Sequence, residues 1–411
     1  MTGNGLPRGA TAAPGAYVHV PFCAHRCTYC SFVALEGRRE EEDFFEGVER
    51  EIRRRGDEEN FLEGEEGVSP SRGAIASAER RPFDTVYFGG GTPSYVDAPR
   101  LGRLLGTLEE IFGLSSDLEV TAEANPDDLD AAKIDSIRTA GVNRLSVGVQ
   151  SLVDAELVPL ERRHDAASAR KAVRAAVEAF GNVSADLMIG IPGQTRESLR
   201  ASLEGLLEAG VGHLSVYLLE IEKAPRLVAL KRDQPGLFAD DDEMADRWLD
   251  VDERLEKAGL PRYELSNWAK PGRESRHNLK YWTQVPVLGF GVAAHSFDGV
   301  RRYANTGMMS EYVRRARMGQ PVTATFEEIS GDPDFLRRKE GLMLRLRLAG
   351  GVPSSSFEEI RRALPEASAA QLGDARLAGL LEEIPGGRGE RRVRLTRKGV
   401  LLSNEVFSAL V

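Results

Sequence analysis

Ala16-Tyr17-Val18-His19-Val20-Pro21-Phe22-Cys23-Ala24-His25-Arg26-Cys27-Thr28-Tyr29-Cys30 runs from a short β-rich segment straight into a loop holding every cysteine of the 411-residue chain. A sequence that uses no cysteine for packing, yet sets Cys23, Cys27 and Cys30 so close together, commits them to one chemical task. The spacing C-x3-C-x2-C lets one loop wrap three thiolates around a single inorganic core. On a cubane iron–sulfur cluster, three thiolates leave one iron without a protein ligand. Clusters that only pass electrons normally carry four cysteines, so the vacancy points to an iron that binds a small molecule. Zinc is the rival reading, with His19 or His25 as fourth ligand. Disulfide pairing would strand one thiol, and nothing at the N-terminus resembles a secretory signal, which implies a reducing, cytoplasmic setting.

Outward from this loop, β-rich runs alternate with helical patterns. Strands are expected at Ala16–Val20, Thr85–Phe88, Leu118–Glu123, Arg144–Val149, Val183–Ile189 and His213–Leu219. Helices are expected near Glu41–Arg54, Pro99–Ile111, Ala131–Ala140, Ala166–Ala179 and Arg196–Ala209, with another starting near Asp241. Six strand–helix units predict an α/β fold, a parallel sheet with right-handed crossovers. Too little chain of this type is present for eight units; a partial, open (β/α)6 barrel is expected ahead of a doubly wound sheet, which the pattern alone does not separate from it.

Polar residues gather where such strands end. The cysteine loop follows the first strand and Gly89-Gly90-Gly91-Thr92-Pro93 the second. Glu123 closes the third, Gln150 ends the fourth, and Asp186 lies in the fifth. Ligands of parallel α/β folds sit at the carboxyl ends of the strands, so these groups converge on one mouth. The glycines permit close backbone approach to a ligand, and their carbonyls with the Thr92 hydroxyl suit an ammonium group. Glu123, Gln150, Arg162 and Asp186 suit a ribose and a carboxylate; taken singly, each reads more readily as a solvated or helix-capping residue, and it is the convergent set that points to function.

C-x3-C-x2-C with an aromatic before the last cysteine, followed by Gly-Gly-Gly-Thr-Pro, resembles the radical S-adenosylmethionine (SAM) superfamily. Tyr17-Val-His-Val-Pro-Phe-Cys23 narrows the resemblance to the branch of oxygen-independent coproporphyrinogen III dehydrogenases and HemW-type heme chaperones. It extends from about Tyr17 nearly to the C-terminus and implies a 4Fe-4S cluster on Cys23, Cys27 and Cys30, with SAM on the fourth iron. By matching motif positions it implies SAM contacts at Tyr17, Tyr29, Gly90, Gly91, Thr92, Glu123, Gln150, Arg162 and Asp186. No catalytic residue is assigned.

Two features separate the branch members. The dehydrogenases carry a further cysteine two positions after the third, where this chain has Phe32, and an N-terminal extension where this chain offers a short Gly/Ala-rich tail. Arg276-His277-Asn278-Leu279-Lys280-Tyr281-Trp282 is similar to the H-N-x-x-Y-W heme-binding motif of the chaperones. Imidazole ligates heme iron and flat rings pack on a macrocycle, so His277, Asn278, Tyr281 and Trp282 are the expected heme residues, His277 as ligand. His295 either closes over the SAM site or packs in the second region. The resemblance therefore implies heme delivery to respiratory hemoproteins, and leaves room for a homodimer and for peripheral membrane contact. Radical decarboxylation of coproporphyrinogen III is the alternative, and a zinc-stabilised binding module the second.

The remaining organisation follows from composition. We expect a disordered tail over 1–14, a barrel over 15–240 with a surface insertion at 56–81, an accessory region over 241–331, and a winged-helix-like domain over 332–411. That last domain reads as helices near Phe335–Leu348, Ser355–Ala363 and Ser368–Glu382, then a basic hairpin around Gly386–Lys398 and a final helix. With 41% hydrophobic and 29% charged residues the chain can build a core, and no uncharged apolar run reaches bilayer length. A net charge of -10 argues against general nucleic-acid binding.

Overall fold

The computed structural model describes residues 9–57, 82–327 and 332–411. Most of the expected tail and the insertion expected at 56–81 lie outside the described residues. The chain forms two compact units: one of 12–244 with 285–327, the other of 1–11, 245–284 and 328–411. The stretch read as a single accessory region, 241–331, is thus shared between them. Among the described residues no helix is long and apolar enough to cross a membrane.

In the larger unit strands and helices alternate as expected: β1 (Gly15–Val20), α1 (Glu41–Asp57), β2 (Phe83–Gly90), α2 (Ala98–Phe112), β3 (Leu114–Ala124), α3 (Ala131–Thr139), β4 (Arg144–Gln150), α4 (Ala166–Phe180), β5 (Val183–Ile189), α5 (Arg196–Glu208) and β6 (His213–Leu218). These six strands are parallel neighbours in chain order. A seventh parallel strand, β7 (Val287–Phe290), pairs with the free side of β1 and was not anticipated. Antiparallel β8 (His295–Phe297), β9 (Arg302–Asn305) and β10 (Thr323–Phe326) extend the sheet beyond it.

One face of each strand is apolar and covered by helices: Val18, Val86, Val120, Val147, Ala185 and Val216 are all buried. The other face is polar. Register places Tyr17 beside Tyr87, Tyr87 beside Thr121 and Thr121 beside Arg144, then Glu123 beside Ser146 and Asp186 beside Ser215. Parallel partners share a face, so the barrel interior is lined with hydrogen-bonding groups rather than aliphatic layers.

The smaller unit is built around Trp248 and Trp268, whose rings lie 5.8 Å apart. Asp252 accepts from the Trp268 indole N–H at 2.9 Å and from Arg397 Nε at 2.7 Å. Its last eighty residues run helix Pro333–Leu346, strand Val352–Pro353, helices Ser354–Ala363 and Glu366–Leu377, then strands Leu381–Pro385 and Arg391–Leu395. The third helix is shorter than expected, because Gly379 takes φ +73° and Leu381–Pro385 pairs antiparallel with Arg391–Leu395. Four arginines of the basic hairpin are matched within this unit: Arg391 by Glu383, Arg392 by Glu390, Arg394 by Glu382 and Arg397 by Asp252.

Candidate functional site

The cysteine loop is pinned at both ends. Phe22–Cys23 pairs with Leu35–Glu36, Leu35 N–H donates to the Pro21 carbonyl at 2.7 Å, and Gly37 N–H donates to the Cys23 carbonyl at 2.9 Å. Within the loop, Cys30 N–H donates to the Cys27 carbonyl at 3.1 Å, a turn that sets these two thiols close together. Burial, reinforced by the neighbouring thiols, pushes Cys23 up to about 11. Cys30 is raised for the same first reason. Cys23 and Cys30 thus resist becoming thiolates unless a cationic centre arrives to hold them.

A closed circuit of hydrogen bonds ties the loop to the strand ends. The Thr92 hydroxyl lies 3.4 Å from Cys23 Sγ and accepts from Asn125 Nδ2 at 3.2 Å. Asn125 Oδ1 accepts from Arg162 Nη2 at 2.6 Å, and Arg162 Nη1 lies 3.4 Å from Cys27 Sγ. Arg162 also reaches the Gly148 carbonyl at 2.5 Å and the Tyr29 hydroxyl at 3.5 Å. Glu161, at φ +54°, turns the chain so that the next residue enters this position.

The glycine triplet packs directly on the loop. Gly91 N–H donates to the Val20 carbonyl and Thr92 N–H to the Phe22 carbonyl, both at 2.8 Å. A Cβ at Gly91 would stand 2.7 Å from the Pro21 carbonyl carbon and 2.9 Å from the Phe22 nitrogen, backbone atoms that cannot yield. Gly90 takes φ +109° and donates its N–H to Glu123 Oε2 at 3.0 Å, while Tyr87 donates to Oε1 at 2.9 Å. Burial raises Glu123 to about 7 and Asp186 to about 6. Gln150 follows a register shift between Gly148 and Gln150 and takes φ +68°. Its Oε1 is buried with no hydrogen-bond partner among the described residues.

Each histidine that could be the fourth zinc ligand is engaged elsewhere. His19 Nε2 lies 2.8 Å from the Val33 carbonyl, which only accepts, so its Nδ1 takes the Tyr17 hydroxyl at 3.2 Å. His25 sits between carboxylates, Nδ1 3.1 Å from Glu36 and Nε2 3.5 Å from Glu161. Phe32, where the dehydrogenases place a cysteine, is 63% exposed.

Tyr17, Tyr29, Gly90, Gly91, Thr92, Glu123, Gln150, Arg162 and Asp186 therefore all belong to the larger unit, on the strands, strand ends and loops expected to form the mouth. Sequence reasoning missed Asn125 and Tyr87. Asn125 stands two residues after Glu123, but only its pairing with both Thr92 and Arg162 reveals it. The expected heme residues belong to the smaller unit, on the helix Arg276–Thr283. His277 is buried and its Nε2 lies 3.0 Å from the Tyr281 hydroxyl. Trp282 packs against Ala10, Leu279 and Leu348, with the Arg347 guanidinium 4.5 Å above its ring. Ser275 caps the helix by accepting from Asn278 N–H.

Residues 71–206 match the family model of the radical SAM superfamily. The chain is similar to the heme chaperone HemW of Bacillus subtilis, 34% identical over 96% of this chain and 98% of that one. It is similar to the HemW of Escherichia coli at 31% identity, over 89% of this chain and 91% of that one. In fold it matches the coproporphyrinogen III oxidase HemN of Escherichia coli, a radical SAM enzyme, with TM-score 0.76 and 22% identity over 97% of this chain and 90% of that one. With a parallel-rich barrel sheet, three thiols in one loop after β1, and near full-length similarity above 30% to several HemW proteins, the chain belongs to the HemW family of the radical SAM superfamily.

Proposed function

We propose that the protein is a radical SAM-type heme chaperone. It holds a 4Fe-4S cluster on Cys23, Cys27 and Cys30, binds SAM at the strand ends, and takes heme on the helix Arg276–Thr283 for delivery to respiratory hemoproteins. The observation that carries the cluster is the circuit from Cys23 through Thr92, Asn125 and Arg162 to Cys27. Such a frame fixes two thiols before any metal arrives, and N–H and O–H groups aimed at sulfur favour the charge of a bound cluster. The buried, unpartnered Gln150 Oε1 and the buried carboxyls of Glu123 and Asp186, whose charge burial disfavours, fit a ligand that brings its own donors, as an ammonium and ribose hydroxyls do. When bound, the reduced cluster supplies one electron to the SAM sulfonium; the chain positions the ligand and shields it from water.

Phe32 in place of a cysteine, together with the H-N-x-x-Y-W run, favours the chaperone over the dehydrogenase. The internal pairing of the hairpin arginines favours packing or protein contact over DNA reading for the C-terminal part, which we read as winged-helix-like.

Anaerobic reconstitution should give about four irons and four sulfides per chain, lost when the three cysteines become alanine. The loaded protein should bind heme and leave coproporphyrinogen III unchanged. Protoporphyrinogen formation would assign the enzyme instead, and zinc without sulfide would assign the binding module.

A further inference from the structure

His277 and Tyr281 stand one helical turn apart on the same stripe, so their side chains meet. The rings lie edge to face, with centroids 5.3 Å apart and planes at 83°, and the phenol oxygen is 3.0 Å from His277 Nε2. Their exposures differ sharply: His277 is 1% exposed and Tyr281 38%. A heme is a flat plate over ten ångströms wide in its own chemistry, so its iron is reached by a donor at the surface. The imidazole lies beneath, its Nε2 covered by the phenol. Trp282 is held in place by Arg347 and the Leu279–Leu348 cluster and contributes to the core.

We propose that Tyr281, rather than His277, is the iron ligand that this helix offers to ferric heme, with His277 as its positioning residue. The inference rests on the reading that heme binds at this helix. A phenolate oxygen is an established ligand of ferric heme. On coordination the Tyr281 O–H bond breaks, the oxygen keeps the electron pair and bonds iron, and the proton passes to Nε2 of a neutral His277. The imidazolium then hydrogen-bonds back to the ligand oxygen, and no oxidant or reductant is involved. The ligand oxygen is thereby oriented from below, which a lone tyrosine on an exposed helix would lack.

The test is titration of the full chain with hemin, read by absorbance and by resonance Raman. In wild type we expect the enhanced phenolate vibrations of an iron-bound tyrosine. Tyr281→Phe should lose them and bind hemin on the order of tenfold more weakly. His277→Gln should keep them while loosening binding. A wild-type complex without phenolate modes overturns the assignment with no variant needed. So does a Tyr281→Phe complex identical to wild type alongside a His277→Gln complex whose iron ligation has changed. Failure of wild type to bind hemin at all would instead remove the heme reading itself.

Discussion

Asn125 accepts one hydrogen bond, from Arg162, and donates another, to Thr92, and each of those partners stands by a different cysteine sulfur. Replacing it by leucine takes one acceptor from the buried Arg162 guanidinium, which keeps the Gly148 carbonyl, and removes the donor to Thr92. We expect a loss of about 1–3 kcal/mol of stability and lower iron and sulfide content after anaerobic reconstitution; unchanged metal content would show the circuit to be dispensable. The carboxyls of Glu123 and Asp186 make a second prediction. In the fold they stay protonated up to about 7 and about 6, chiefly because burial disfavours their charge. Unfolded, they ionise near their ordinary values, so at higher pH the unfolded state gains more by losing protons. The ligand-free protein should therefore hold this contribution in full below about pH 4 and lose it as pH rises through about 6 and then about 7. Glu123→Gln should flatten the upper part of that fall, on the order of a few kcal/mol. Thermal midpoints measured across this range that run parallel in both proteins would refute it.

Among the elements, the turn after β2 leaves least freedom. Gly91 faces backbone of Pro21 and Phe22, whereas Gly106, inside α2, has open space where a side chain would grow. Gly91→Ala should cost about 1–3 kcal/mol and impair cluster assembly, while Gly106→Ala should gain up to about 1 kcal/mol. Denaturant unfolding of the two variants, with iron analysis of each, checks both signs. The alternation of strand and helix was legible because each element has its own hydrophobic period. Short apolar runs were not. Leu380 and Leu381 continue a helix or begin a strand equally well, and only pairing of Leu381 with Leu395 decides between them. Val287–Phe290 escaped notice for the same reason, being a four-residue run whose partner, β1, lies far away in sequence.

In the larger unit as a whole, α1 is joined to the strands beyond β7 by one buried carboxylate. Glu51 accepts from Gly291 N–H at 2.9 Å, Asn305 Nδ2 at 2.8 Å and Tyr312 O–H at 2.6 Å, and pairs with Arg55 at 2.7 Å. Arg55 in turn bonds Asn305 at 2.9 Å and lies over the rings of Phe290 and Tyr303. Glu51→Ala would take the carboxylate from Arg55 and remove the acceptor shared by Gly291 N–H, Asn305 Nδ2 and Tyr312 O–H, for which we expect about 3–5 kcal/mol of destabilisation. A thermal midpoint within one degree or so of wild type would disprove this role. Nothing in the pattern of α1 distinguishes Glu51 from its many acidic neighbours, since its partners are some 240 residues further on.

Residue type and spacing alone determined the three-thiol loop, the six strand–helix units and the placing of the polar set at the strand ends. These are local properties: a thiol cluster within one loop, and periodicities of two and of 3.6, need no distant partner to be read. Tertiary structure decided which groups are joined and which face outward. Asn125 between Thr92 and Arg162, the seventh strand beside β1, and Tyr281 lying outside His277 all depend on packing between segments or on which stripe of a helix is covered. Burial and long-range pairing are set by the whole fold, and a motif carries no record of them.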